Sequence, residues 1–135
     1  MRPLTKRMIL AINRLSALYT GGLCKENGNL RPGASLAFVD RIVHNEVFGQ
    51  PIYPDLYHQA AAYLFHVVKD HPFLDGNKRT GLACALTFLQ WNGIGVAPLD
   101  EDAVFDFVIS VASGPNRPET EVPRIAVWLR EMSLS

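Results

Sequence analysis

The chain has 135 residues, with 13 Lys+Arg against 13 Asp+Glu. It is long enough to bury a core without staples, and it lacks the charge excess that would draw it to nucleic acid or to a membrane surface. Cys24 and Cys84 are its two cysteines and lie far apart, which excludes a disulfide framework or a zinc knuckle and fits a reducing compartment.

No stretch approaches the roughly 20 apolar residues of a membrane span, and the N-terminal apolar run is too short and interrupted for a signal peptide. A soluble, cytoplasmic protein is expected. Apolar residues recur at helical spacing along nearly the whole chain, and period-two alternation is almost absent. That pattern predicts an all-α fold. The first helix is expected from Thr5 or Lys6 to about Thr20, with Met8, Ile9, Ile12, Leu15, Leu18 and Tyr19 inward and Gly21-Gly22 as its stop. "KENGNLRPGAS" reads as a loop. A second helix is expected over 34–48, burying Leu36, Val39, Ile42, Val43 and Val47.

Pro51 and Pro54 punctuate the chain, and Pro54 can open a third helix with Leu56, Ala60, Tyr63, Leu64, Val67 and Val68 on its inner face. Pro72 disfavours helical backbone at His71, so this helix ends near Asp70. A fourth helix begins around Gly76, carries Leu82, Ala85, Leu86 and Leu89 as its core stripe, and stops at Asn92-Gly93. "GIGVAPLD" has room for one short extended segment. Helices near 101–113 and 121–132 follow, the last capped by Thr120. With no repeat, low-complexity run or linker in view, the expectation is one compact domain over 1–135, a bundle of about six helices.

The sharpest polar residues gather in "HPFLDGNKRTG", residues 71 to 81. The opening N–H groups of the helix that starts at Gly76 have no partners within it, and its dipole adds positive potential, so this end is suited to an anion. Gly76 lets the backbone approach closely. Lys78 and Arg79 stand on the first turn, where acids would offset the dipole. Two cations there are a local conflict unless an anion docks.

Arg79 can grip phosphate oxygens in a fork, and Lys78 can act as a point charge. Asp75 can supply a carboxylate to Mg²⁺, which takes few protein ligands beside phosphate oxygens and water. His71 is placed to be a general base. Taken one at a time, each residue has an ordinary reading. Asp75 is a helix cap, Asn77 a first-turn polar residue, Phe73 and Leu74 core plugs, Lys78 and Arg79 a solvated face, and His71 structural. Their convergence favours phosphoryl or nucleotidyl transfer. "GNKRT" is not a P-loop, because Asn77 rather than Gly precedes Lys78 and no strand leads in. His66 and Asp70 share a helical face but lack a third ligand, so a pair is expected there and not a metal site.

His71-Pro-Phe-Leu-Asp-Gly-Asn-Lys-Arg79 resembles the Fic/Doc signature H-x-F-x-[D/E]-G-N-x-R at every specified position, and in particular the Doc branch, in which N-K-R replaces N-G-R. "YTGGL", "PDLYHQAAAYLFHVVKDHPF", "LACALTFLQWNG" and the last two helices are similar to Doc-like chains as well. The resemblance implies the all-α Fic fold. It implies that His71 takes the proton from a target hydroxyl, that Asp75 binds Mg²⁺, that Gly76, Asn77, Lys78 and Arg79 hold the phosphates of ATP, and that Phe73 anchors the loop.

Lys78 fills the place of the second glycine of AMP-transferring relatives, and Leu82 that of their second arginine. The family's self-inhibitory pattern [ST]-x-x-x-E-[GN] does not occur in the chain. The resemblance therefore implies a Doc-like toxin that phosphorylates a hydroxyl on a Tu-type translation elongation factor and halts protein synthesis, restrained by a separate antitoxin protein. Two alternatives stay open, a Fic-type adenylyltransferase and a non-catalytic nucleotide- or partner-binding module.

Overall fold

The computed structural model describes residues 1–21 and 29–134. Its described residues form six helices and one two-stranded hairpin. Helix α1 spans Lys6–Thr20, with the Thr5 hydroxyl accepting the Met8 N–H at 3.1 Å and Gly21 closing it at φ 72°. Gly22, Cys24, the side chain of Tyr19 and residues 25–28 of the expected loop lie outside the described residues. The stripe on α1 differs from the expected one. Ile9, Asn13 and Ala17 are buried at successive i, i+4 positions, whereas Leu15 is 54% and Leu18 64% exposed. Hydrophobicity alone places the leucines inward, but the seat of α1 against the body selects a face that carries one polar residue.

The second helix is much shorter than 34–48. Helix α2 covers Phe38–His44. Asn45 stops it in a left-handed conformation (φ 47°), and its amide clasps Tyr53 by accepting the Tyr53 N–H at 2.6 Å and donating to the Tyr53 carbonyl at 2.9 Å. The chain then turns through Phe48 and Gly49, both at positive φ, into an antiparallel hairpin of β1 (Glu46–Val47) and β2 (Gln50–Pro51). A two-residue loop of that conformation matches strand twist. Leu36, Val39 and Ile42 are buried as expected, but Val43 and Val47 are exposed and Phe48 is fully so.

Helix α3, Leu56–Asp70, is the axis of the fold. Every residue from Gln59 to Val68 is buried, because α4 (Asn77–Trp91), α6 (Pro118–Met132), α5 (Glu101–Ser113), α2 and the segment ahead of α1 enclose it. Apart from Gln59 and His66 the buried run is apolar, as an enclosed helix requires. Its start is capped by Asp55, whose carboxylate accepts the His58 N–H at 2.8 Å. Close approach to α4 depends on Gly81, where a Cβ would stand 2.9 Å from Val68 Cγ2 and 3.1 Å from the Leu64 carbonyl oxygen.

At the other side of the axis, the Tyr63 hydroxyl accepts the Leu4 N–H at 2.9 Å and donates to the Leu4 carbonyl at 3.1 Å, pinning the segment ahead of α1. Burial pushes the Tyr63 hydroxyl up to about 12, against a smaller opposing pull from the Leu4 hydrogen bond. Burial also pushes the Cys84 thiol up, which leaves it chemically idle.

Helix α5 has the expected bounds and is capped by Asp100. Helix α6 begins three residues earlier than expected, at Pro118. Thr120 lies inside it rather than capping it, since proline suits a first helical position. The short extended segment in "GIGVAPLD" is present as a bridge between Val96 and Ser133. None of the helices described is long and apolar enough to cross a membrane.

Candidate functional site

The His71–Arg79 stretch comprises the whole connection between α3 and α4, residues 71–76, and the first three residues of α4. His71 is the C-cap of α3 and adopts a left-handed conformation (φ 47°, ψ 54°), uncommon for a residue with a Cβ. Arg31 holds it there. Its guanidinium donates through Nε to the His71 carbonyl and through Nη2 to the Asp70 carbonyl at 3.0 Å, satisfying the open end of α3. The left-handed turn brings the chain out of the helix and leaves the His71 side chain exposed.

The next three residues are held on two sides. On one side, residues 29–31 zip along them as a short antiparallel bridge. The Arg31 N–H donates to the Pro72 carbonyl at 2.8 Å, the Leu74 N–H donates to the Asn29 carbonyl at 2.7 Å, and Leu30 faces Phe73. On the other side, Asn77 takes both main-chain groups of Phe73. Its Oδ1 accepts the Phe73 N–H at 3.0 Å and its Nδ2 donates to the Phe73 carbonyl at 2.9 Å. The Phe73 ring fills the core and is 1% exposed. Asn77 Nδ2 also lies 3.3 Å from His71 Nδ1, so one buried amide ties the anchor, the loop and the histidine together.

Helix α4 opens at Gly76, which is its N-cap at φ 77° and ψ 21°, with no side-chain cap and no acid in the first turn. Asp75 is therefore not the cap. It is exposed beside the helix end, as are Lys78 and Arg79 on the first turn. The carbonyl of Gly76 accepts the Thr80 N–H at 2.8 Å, so the N–H groups of Asn77, Lys78 and Arg79 precede any acceptor in their own helix. The structure thus brings one carboxylate, two cations and a positive helix end to one point, with the histidine at the start of the same loop.

Of the predicted residues, His71, Asp75, Lys78 and Arg79 present exposed side chains and Gly76 presents backbone. Phe73 and Asn77 are buried, and the Asn77 amide is spent on the loop itself. A single exposed carboxylate beside an uncapped helix start and two cations suits Mg²⁺ held largely by phosphate oxygens, and among the described residues no group of three His, Cys, Asp or Glu side chains could hold a metal alone.

An apolar cavity of about 400 Å³ adjoins the two cations, lined by Lys78, Arg79, Leu82, Leu99, Glu101, Val104, Phe105 and Val108. Leu82 is half-buried at its wall rather than fully in the core. His66 and Asp70 form the anticipated pair, with Nδ1 3.4 Å from the carboxylate.

Asn13, Asn29 and Arg31 support this loop and are absent from the sequence-based list of site residues. A polar residue on the buried stripe of α1 was the available signal for Asn13. The contacts of Asn29 and Arg31 come from a loop that passes the site only in three dimensions.

Residues 3–89, which include the entire loop and its supports, match the model of the Fic/DOC family. The chain belongs to the Fic/DOC family. Among Fic/DOC proteins it is 30% identical over 132 residues to one named protein kinase doc from Escherichia phage P1, covering 98% of this chain and 96% of that one. It is also 43% identical over 68 residues to toxin Doc of Mycolicibacterium smegmatis, covering 50% of this chain and 52% of that one.

Proposed function

We propose that this Fic/DOC protein is a Doc-like toxin of a toxin–antitoxin pair, a phosphotransferase that moves the γ-phosphoryl group of ATP to a hydroxyl side chain on a Tu-type translation elongation factor. The observation that carries this reading is the loop from His71 to Arg79, which joins a histidine, a carboxylate and two cations at an uncapped helix start. The near full-length likeness to a protein kinase doc supports it. The antitoxin follows from the same relatives, and the cytoplasm is where such a target and such a partner reside.

In this reading the first turn of α4 holds the phosphates, with Arg79 as a fork and Lys78 as a point charge. Asp75 would hold Mg²⁺, which supplies charge neutralisation at the phosphate oxygens when bound. His71 accepts the proton of the target hydroxyl as its oxygen bonds to the γ-phosphorus. The bond from that phosphorus to the bridging oxygen breaks, and ADP leaves with the electron pair. Positioning and charge carry such a step. Asn77 holds His71 and Phe73 in place.

The test is label transfer from ATP to the purified elongation factor with Mg²⁺, in parallel reactions labelled at the γ or the α phosphate. Label from γ alone is expected, and His71→Ala should lower it by about 10²–10⁴-fold, the usual yield of general base catalysis. Label from α would make the protein an adenylyltransferase despite Lys78 and Leu82. No label from either, with nucleotide still bound, would leave the binding-module reading.

A further inference from the structure

Asn13 lies in the middle of α1, far in sequence from the loop, and is 2% exposed. Its neighbours on the buried stripe, Ile9 and Ala17, are apolar. Burying an amide there costs desolvation that a leucine of similar volume would not incur, so packing alone does not account for it.

The amide is fully used. Nδ2 donates to the Asp75 carbonyl at 3.0 Å and to Thr80 Oγ1 at 2.9 Å, while Oδ1 accepts from Asn29 Nδ2 at 3.0 Å. The two donor bonds straddle the start of α4, one on the residue before its cap and one on Thr80, which lies past the three open N–H groups and makes the first hydrogen bond within the helix. In a trans peptide the carbonyl and the following N–H point to opposite sides of the chain. Holding the Asp75 carbonyl inward against α1 therefore turns the Gly76 N–H outward, on the side of the exposed Asp75, Lys78 and Arg79. Gly76 accepts the left-handed backbone this demands, and a Cβ at that residue would lie 3.5 Å from Asn13 Nδ2.

We infer that Asn13 is a positioning residue of the anion cradle: by gripping the Asp75 carbonyl it aims the Gly76 N–H and the first turn of α4 at the bound phosphate. It touches no substrate. This rests on the reading of the α4 start as the nucleotide site.

The experiment uses the full chain as wild type, Asn13→Ala, the near-isosteric Asn13→Leu, and Thr80→Val, each verified as folded by circular dichroism. Binding of Mg·ATP is measured by calorimetry. Both Asn13 variants should bind about tenfold more weakly, the worth of one charge-assisted hydrogen bond, with KM for ATP raised and kcat held. Thr80→Val loses the other arm of the same amide but keeps the Asp75 grip, so it should bind as wild type does even where its melting temperature falls. Wild-type affinity in the folded Asn13 variants would overturn the inference. So would an equal loss in Thr80→Val, which would mean that Asn13 only supports the helix. A wild type that binds no Mg·ATP would instead sink the nucleotide reading of the site, and the positioning role with it.

Discussion

Replacing Asn77 by alanine isolates what holds the loop between α3 and α4. The change removes the acceptor of the Phe73 N–H and the donor to the Phe73 carbonyl. These groups cannot turn to residues 29–31, because the bridge there is made by the main chain of Pro72 and Leu74. Phe73 is 1% exposed and Asn77 9%, so both orphaned groups stay mostly dry. Each unsatisfied buried group costs about 1–3 kcal/mol, and some water entering the vacated space offsets part of that, leaving about 2–4 kcal/mol in total. For a chain of this size the melting temperature should fall by roughly 6–15 °C.

Urea unfolding should show the same loss as a lower midpoint at unchanged slope. Asn77→Asp keeps an acceptor for the Phe73 N–H and loses only the donor, so it should fall between the two. An Asn77→Ala protein that unfolds at the wild-type midpoint would refute the clasp as the source of loop rigidity.

Gly81→Ala should destabilise by about 1 kcal/mol in thermal unfolding: the gain in helix propensity is about 1 kcal/mol, while overpacking against Val68 and the Leu64 carbonyl costs about 1–3 kcal/mol. Tyr63→Phe strands the main chain of the fully buried Leu4 and should cost about 2 kcal/mol. The raised Tyr63 value of about 12 favours the neutral hydroxyl in the folded state. Its stabilisation is therefore full below the ordinary value near 10 and lost as pH rises from 10 through about 12, so an unfolding series over that window should steepen in wild type and flatten in Tyr63→Phe. Lys78→Gly should admit some AMP transfer in the α-label assay if the Lys78 side chain is what occupies that part of the cradle; no α label in a protein that still transfers γ would place the specificity elsewhere.

The sequence by itself determined the helical class, the bounds of α4 and α5 to within a residue or so, the end of α3 (its start falls two residues after Pro54), and the identity of the loop. Those features are local: apolar period, proline at 72, glycine at 76, and a cation pair on a first turn. Local chemistry also limited what it could say. The stretch 34–48 has helical spacing throughout, yet Asn45 bonds to Tyr53 and ends α2 at His44 in favour of a hairpin. That choice depends on a contact eight residues away.

The face of α1 was likewise undecidable from hydrophobicity, because Leu15 and Leu18 compete with a stripe that carries Asn13. What only the tertiary structure decided is how the loop is held. Arg31 on the end of α3, residues 29–31 along Pro72 to Leu74, and Asn13 under Asp75 each act across a gap of 39 or more residues in the chain. Hydrogen-bond partners that distant leave no periodicity behind, and the physics that selects them is the cost of leaving buried main-chain groups unpaired once α1, α3 and α4 have packed.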